Sequence, residues 1–165
     1  MFSTIDDFLK SWKYESEATL KVFHNLTDAS LAQRVTPDGR TLGFIAWHIT
    51  VSMPELFGSA RVPLPVTLDK EEPSSAAAIS DAYEKCARAV AEVVRVAWTD
   101  EQLRDEIPMY GMSWAKGAVL VSLIVHQAHH RGQMTVLMRQ AGLKVPGVYG
   151  PAREEWAAMG IPAEP

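Results

Sequence analysis

At 165 residues and 18.2 kDa the chain suits one compact domain over 1–165 with room for a sizeable core, and it is too short for a second full one. Hydrophobic residues make up 47% and charged residues 22%, which excludes a disordered or fibrous protein. A net charge of -4 with thinly spread Lys and Arg carries no electrostatic footprint for nucleic acid or an anionic membrane, so a small-molecule role is favoured. The single cysteine, Cys86, rules out an intramolecular disulfide and a cysteine-built zinc site, and it fits a reducing compartment. The opening MFSTIDDFLK lacks the basic-then-apolar order of a signal peptide, and the longest apolar stretch, Gly117 to Val125, is too short to span a bilayer. A soluble, cytoplasmic protein is the expectation.

Ser3 and Thr4 offer an N-cap, and Asp6 and Asp7 supply an acidic first turn. Ile5, Phe8, Leu9, Trp12, Thr19, Leu20 and Phe23 then recur at helical spacing, predicting a first helix that ends near Leu26. VTPDGR reads as a turn through Pro37 and Gly39, after which Thr41 caps a second helix reaching about Phe57, with Pro54 ending or kinking it late. Gly58 to Pro73 holds Pro63, Pro65 and Pro73 and is predicted as a long crossover connection. Ser74 or Ser75 caps a third helix, carried by Ala78, Ile79, Ala82, Cys86, Ala89, Val90, Val93 and Val94 as far as Trp98.

The connection TDEQLRDEIPMYGM leads to a fourth helix predicted from Ser113 to Gln140, stopped by Gly142. From Ala115 to Val125 that helix is apolar almost all round, which implies burial on several sides. The tail from about 142 to 165 is predicted irregular, with one or two helical turns in PAREEWAAM and Trp156 as its anchor. Four helical patterns without an alternating strand run predict an all-α four-helix bundle with a crossover.

The histidines are the main functional clue. His48 lies in the middle of the second helix, and His126, His129 and His130 crowd the middle of the fourth. His126 and His130 are separated by four residues, so they sit about 40° apart around the axis, one above the other. Three neutral imidazoles from facing helices suit zinc, nickel, iron or cobalt, and they leave coordination positions open for water or substrate. His129 lies on the same broad arc and could replace His130. The bland alternative is a set of hydrogen-bonded core histidines. Against it, Ser122, His126, His130 and Gln133 make a polar stripe in an apolar helix, and buried polar groups persist only when partnered.

Glu55, seven residues after His48, falls close to the same line of its helix and is the candidate base; a partly exposed late-helix carboxylate is the alternative. Ser52 is assigned to packing or to hydrogen bonding behind a ligand, and Cys86 to the core. His24 is assigned to the dipole at the end of the first helix. Trp47 and Trp114 could line a cavity.

The run H-Q-A-H-H-R-G-Q from His126 to Gln133, with T-L-G-F-I-A-W-H-I from Thr41 to Ile49, resembles the DinB-like (YfiT-like) superfamily. The helix order, the long connection after the second helix and the W-T-D-E-Q-L stretch look like that family as well. The resemblance implies a four-helix bundle with a crossover, usually a homodimer, with one divalent metal, often nickel or zinc, on His48, His126 and His130. Arg131, Gly132 and Gln133 match the residues that follow the last ligand. Relatives in the superfamily include thiol-dependent S-transferases, mycothiol-dependent isomerases and metal-dependent hydrolases, which implies a small electrophilic substrate and leaves room for a low-molecular-weight thiol. The isomerase branch is disfavoured, because its helix-four Glu is replaced here by His126. The competing expectation is a non-enzymatic, metal-stabilised or metal-sensing dimeric module.

Overall fold

The computed structural model describes residues 2–160 and Pro162. Four long helices dominate: α1 (Ile5–Phe23), α2 (Leu42–Ser59), α3 (Ala76–Ala97) and α4 (Lys116–Gln140). Three of them begin at the predicted caps, where the side chains of Thr4, Thr41 and Ser75 accept the backbone N–H of Asp7, Phe44 and Ala78. Gly142, at a φ of 72°, stands just past the end of α4 in the left-handed conformation that closes helices.

Three helix boundaries and one expected absence depart from the sequence reading. α1 stops at Phe23, with the exposed His24 as its C-cap, because a new turn starts almost at once: Asp28–Ala32 is a 3-10 turn closed by reciprocal bonds between Thr27 and Ser30. α2 continues through Pro54 to Ser59; proline removes one N–H, and the burial of Met53, Leu56 and Phe57 around it holds the helix together. α4 begins at Lys116, not Ser113, because Met112–Ala115 forms a strand, β2, paired antiparallel with β1 (Glu106–Met109). The expectation of no strand is corrected by this hairpin, whose two-residue turn is Tyr110–Gly111.

α1 packs on α3 and α4, and α2 packs on the same two, so α1 and α2 lie across the bundle from each other. Specific contacts set the directions. Ile5 N–H donates to Asp100 and Trp12 Nε1 donates to the Ala87 carbonyl, so α1 and α3 are antiparallel. Phe57 and Trp98, at the ends of α2 and α3, stack at 6.2 Å, so these two are parallel. The Gly58–Pro73 segment must therefore travel back along the bundle, as a crossover requires. Glu72 lies against Gly43 at the start of α2, where an added Cβ would sit 2.2 Å from its Oε1. α4 runs antiparallel to α2, with His48 beside His126 and Glu55 and Leu56 beside Ser122 and Leu123.

Between the helices lies an apolar core that includes Phe8, Trp12, Phe23, Phe57, Tyr83 and Cys86. Burial pushes the Cys86 thiol up to about 11, so it stays protonated and inert, as assigned. The tail takes two 3-10 turns, Arg153–Glu155 and Ala157–Met159, within PAREEWAAM. Trp156 there is only half-buried; Tyr149 and Glu155 tie the tail to α1 through Glu15 and Lys21. The predicted irregular tail runs on to 165, and Ile161 and Ala163 to Pro165 lie outside the described residues.

Candidate metal centre

α2 and α4 face each other at mid-depth, and there the antiparallel packing brings His48, His126 and His130 together, with one ring nitrogen from each within 4.8 Å of the others. His126 Nε2 lies 3.1 Å from His48 Nε2 and 3.1 Å from His130 Nε2. Rotation about α4 separates the two neighbours that the sequence left as alternatives: His130 is 6% exposed and joins the cluster, whereas His129 is exposed and meets the His130 ring at its edge from outside the cluster.

The outer nitrogens orient the rings. His130 Nδ1–H donates to Gln133 Oε1 at 2.8 Å, and the Gln133 amide turns its Nε2 toward His129 Nε2 at 3.3 Å. Ser52 Oγ donates to the Ile49 carbonyl and so accepts from His126 Nδ1–H at 3.4 Å. With both Nδ1 atoms protonated, the Nε2 atoms of His126 and His130 turn lone pairs toward each other, an arrangement that a shared cation relieves. Three nitrogens at 2.0–2.1 Å from one ion would stand about 3.0 to 3.4 Å apart; the two edges at His126 are 3.1 Å and match, and all three ring nitrogens lie within 4.8 Å of one another.

Burial keeps the rings neutral. It pushes His126 down to about 4, helped by the charges of His130, His48 and His129. His48 and His130 are also lowered, chiefly by burial; Arg40 adds to both shifts, while Glu55 opposes that of His48 and the Gln133 bond that of His130. Neutral imidazoles are the form that ligates a metal.

Beside His48 and His126 opens a cleft of about 190 Å³, also lined by Ser52, Glu55, Leu56, Tyr110, Ser122 and Leu123. The predicted base Glu55 is exposed at this cleft. Trp47 and His48 line a neighbouring groove with Phe44 and Val51, and Trp114 stands behind Tyr110 with ring centroids 5.9 Å apart.

Sequence reasoning missed the buried polar layer under the cluster. Arg131, 2% exposed, donates to Glu15 Oε2 at 2.6 Å, to the Glu15 carbonyl at 3.0 Å and to Thr19 Oγ1 at 2.8 Å, and it meets the Tyr149 hydroxyl. Gln127, fully buried, accepts from the Tyr83 hydroxyl at 2.9 Å and donates to the Ile49 carbonyl at 3.4 Å. Two polar residues on the inner side of a helix so apolar at its start were the signal for this layer.

A helical bundle with an up-down-down-up course and a histidine cluster between its second and fourth helices thus defines the class of protein. The model of the DinB family matches residues 1–164, and the chain belongs to that family. It is 46% identical over 164 residues to the uncharacterized protein YrdA of Bacillus subtilis strain 168, covering 99% of this chain and 98% of that one. It is similar to the crystal structure of a DinB-like protein from Bacillus cereus ATCC 10987, at 45% identity and a TM-score of 0.86 over 90% of this chain and all of that one. A second DinB-like structure, YjoA from Bacillus subtilis, shares the fold with a TM-score of 0.70 at 15% identity, over 88% and 99% of the two chains. Among the described residues no helix is long and apolar enough to cross a membrane.

Proposed function

We propose that the protein is a divalent-metal-dependent enzyme in which His48, His126 and His130 hold one ion, nickel or zinc, and that it catalyses thiol S-transfer or hydrolysis on a small electrophilic molecule. The observation that carries the reading is the convergence of three histidine rings, two of which, His126 and His130, have their outer nitrogens committed to Ser52 and Gln133. A three-ligand centre beside a cleft keeps positions open for water, thiol or substrate. When bound, such an ion supplies Lewis-acid activation of a coordinated thiol or water.

The chain's own residues then divide the remaining work. Gln133 and Ser52 hold the His130 and His126 rings in the tautomer that ligates. Glu55, at the cleft, is the carboxylate placed to accept a proton from a bound nucleophile, and Leu56 and Leu123 give the cleft an apolar wall that keeps water from the electrophile. The reading includes a small thiol as cosubstrate, a soluble cytoplasmic setting and a homodimer. For the dimer the support is the outer face of α4, where Val125 and Val136 are exposed on either side of Gly132, which has open space before it.

Elemental analysis of protein purified without an affinity tag tests the site. Wild type should carry or take up about one equivalent of transition metal, and His48→Ala, His126→Ala and His130→Ala should each lose it. Wild type that refuses added zinc and nickel, or variants that all keep full stoichiometry, would overturn the assignment.

A further inference from the structure

Tyr110 breaks a local rule. The register pairs Met109 with Met112, leaving Tyr110 and Gly111 as a two-residue hairpin turn with φ of 50° and 78°. Both values are positive, which makes this a type I′ turn, and its first position favours Asn, Asp or Gly because a Cβ is crowded there. A tyrosine is therefore held in a conformation that its side chain disfavours. Only one other non-glycine residue among those described, Arg61, shares a positive φ.

Tyr110 lines the same cleft as His48 and His126, and its ring meets Trp114 edge-on. Its backbone turn is tied to the start of α4 through β2, which anchors the Tyr110 backbone beside the cluster, and its side chain, 55% exposed, stands at the mouth of the cleft. Around the same cleft stand the Ser52 and Ser122 hydroxyls and the Glu55 carboxylate. Among the described residues the Tyr110 hydroxyl has no hydrogen-bond partner in the protein. The cleft thus offers a phenolic donor, a carboxylate acceptor and the histidine nitrogens within one small space. Glu55 disfavours a ligand carboxylate there, whereas a neutral carbonyl or amide can accept from Tyr110 and, in the amide, donate to Glu55.

We propose that Tyr110 is a substrate-positioning residue of this site, donating its hydroxyl to the carbonyl oxygen of a small, neutral, amide-bearing thiol whose sulfur lies against the three histidines. The inference deepens the metal-enzyme reading and rests on it. It also accounts for the tyrosine in the turn: local strain persists where the ring has work in the cleft.

The test uses cobalt-loaded full-length protein and two probes, 3-mercaptopropionamide and 1-propanethiol, with binding followed through the sulfur-to-cobalt charge-transfer absorption. Wild type should bind the amide thiol more tightly. Tyr110→Phe should keep cobalt content and thermal midpoint, lose about tenfold in affinity for 3-mercaptopropionamide, and leave 1-propanethiol unchanged. Tyr110→Asn, which suits the turn, should fold and take up cobalt while showing the same loss of selectivity. Cobalt-loaded Tyr110→Phe with wild-type affinity for both thiols would overturn the inference alone. Wild type that takes up neither cobalt, zinc nor nickel would overturn the metal reading and this inference with it.

Discussion

Arg131 follows His130 directly, and its burial makes a sharp prediction possible. In Arg131→Met the Glu15 carboxylate stays under α4 without its cation, keeping only the Tyr149 hydroxyl at 2.8 Å. Breaking a buried pair in this way costs about 3 to 5 kcal/mol, because the remaining charge is desolvated and uncompensated. Since Tyr149 still donates to Glu15, the lower end applies, about 3 kcal/mol, which in a chain of this size lowers the thermal midpoint by roughly 6 to 12 °C. Chemical denaturation of Arg131→Met, Glu15→Leu and the double variant gives the coupling directly. The double variant should regain most of the loss, as no buried charge is left. Metal stoichiometry should be unchanged throughout. A loss below about 1 kcal/mol in Arg131→Met would refute the claim that this arginine is structural, and metal lost without loss of stability would place it in the site.

Two further predictions probe the cluster itself. Gln133→Leu removes the acceptor for His130 Nδ1–H and should weaken metal affinity about 10- to 100-fold while leaving saturating stoichiometry intact; unchanged affinity in competition with a chelator would contradict the orienting role of Gln133. In the metal-free protein the His126 titration followed by NMR should have its midpoint near 4, well below the ordinary histidine value. Because the folded form then binds fewer protons than the unfolded one, stability should be full above about pH 6.5 and fall as pH drops through 4. The pH slope should shrink in His126→Asn. An equal slope in that variant would locate the acid sensitivity elsewhere.

Much of the histidine cluster was legible in the sequence, and the reason is geometric. An i, i+4 histidine pair must share one face of a helix, and a histidine at the middle of another helix is the natural partner at equal depth. What spacing alone could not decide was His129 against His130, since both lie on one broad arc. The rotation of α4 against α2 decides it, by burying one ring and exposing its neighbour. The caps Thr4, Thr41 and Ser75 were legible because capping is local. The partners of Arg131 were not, because Glu15 and Thr19 lie more than a hundred residues away and read as ordinary members of α1.

The hairpin before α4 was hidden by the same residue that makes it interesting. Four-residue strands are too short to show alternation, so the turn had to carry the signal, and a type I′ turn is recognised by Asn or Asp before Gly. Tyr110 in that place removed the signature. Where local preference and tertiary structure disagree, function is the usual reason for the disagreement to persist. At this hairpin the disagreement sets an aromatic hydroxyl at the mouth of the three-histidine cleft. An asparagine there would have made the turn readable and left the cleft without its donor.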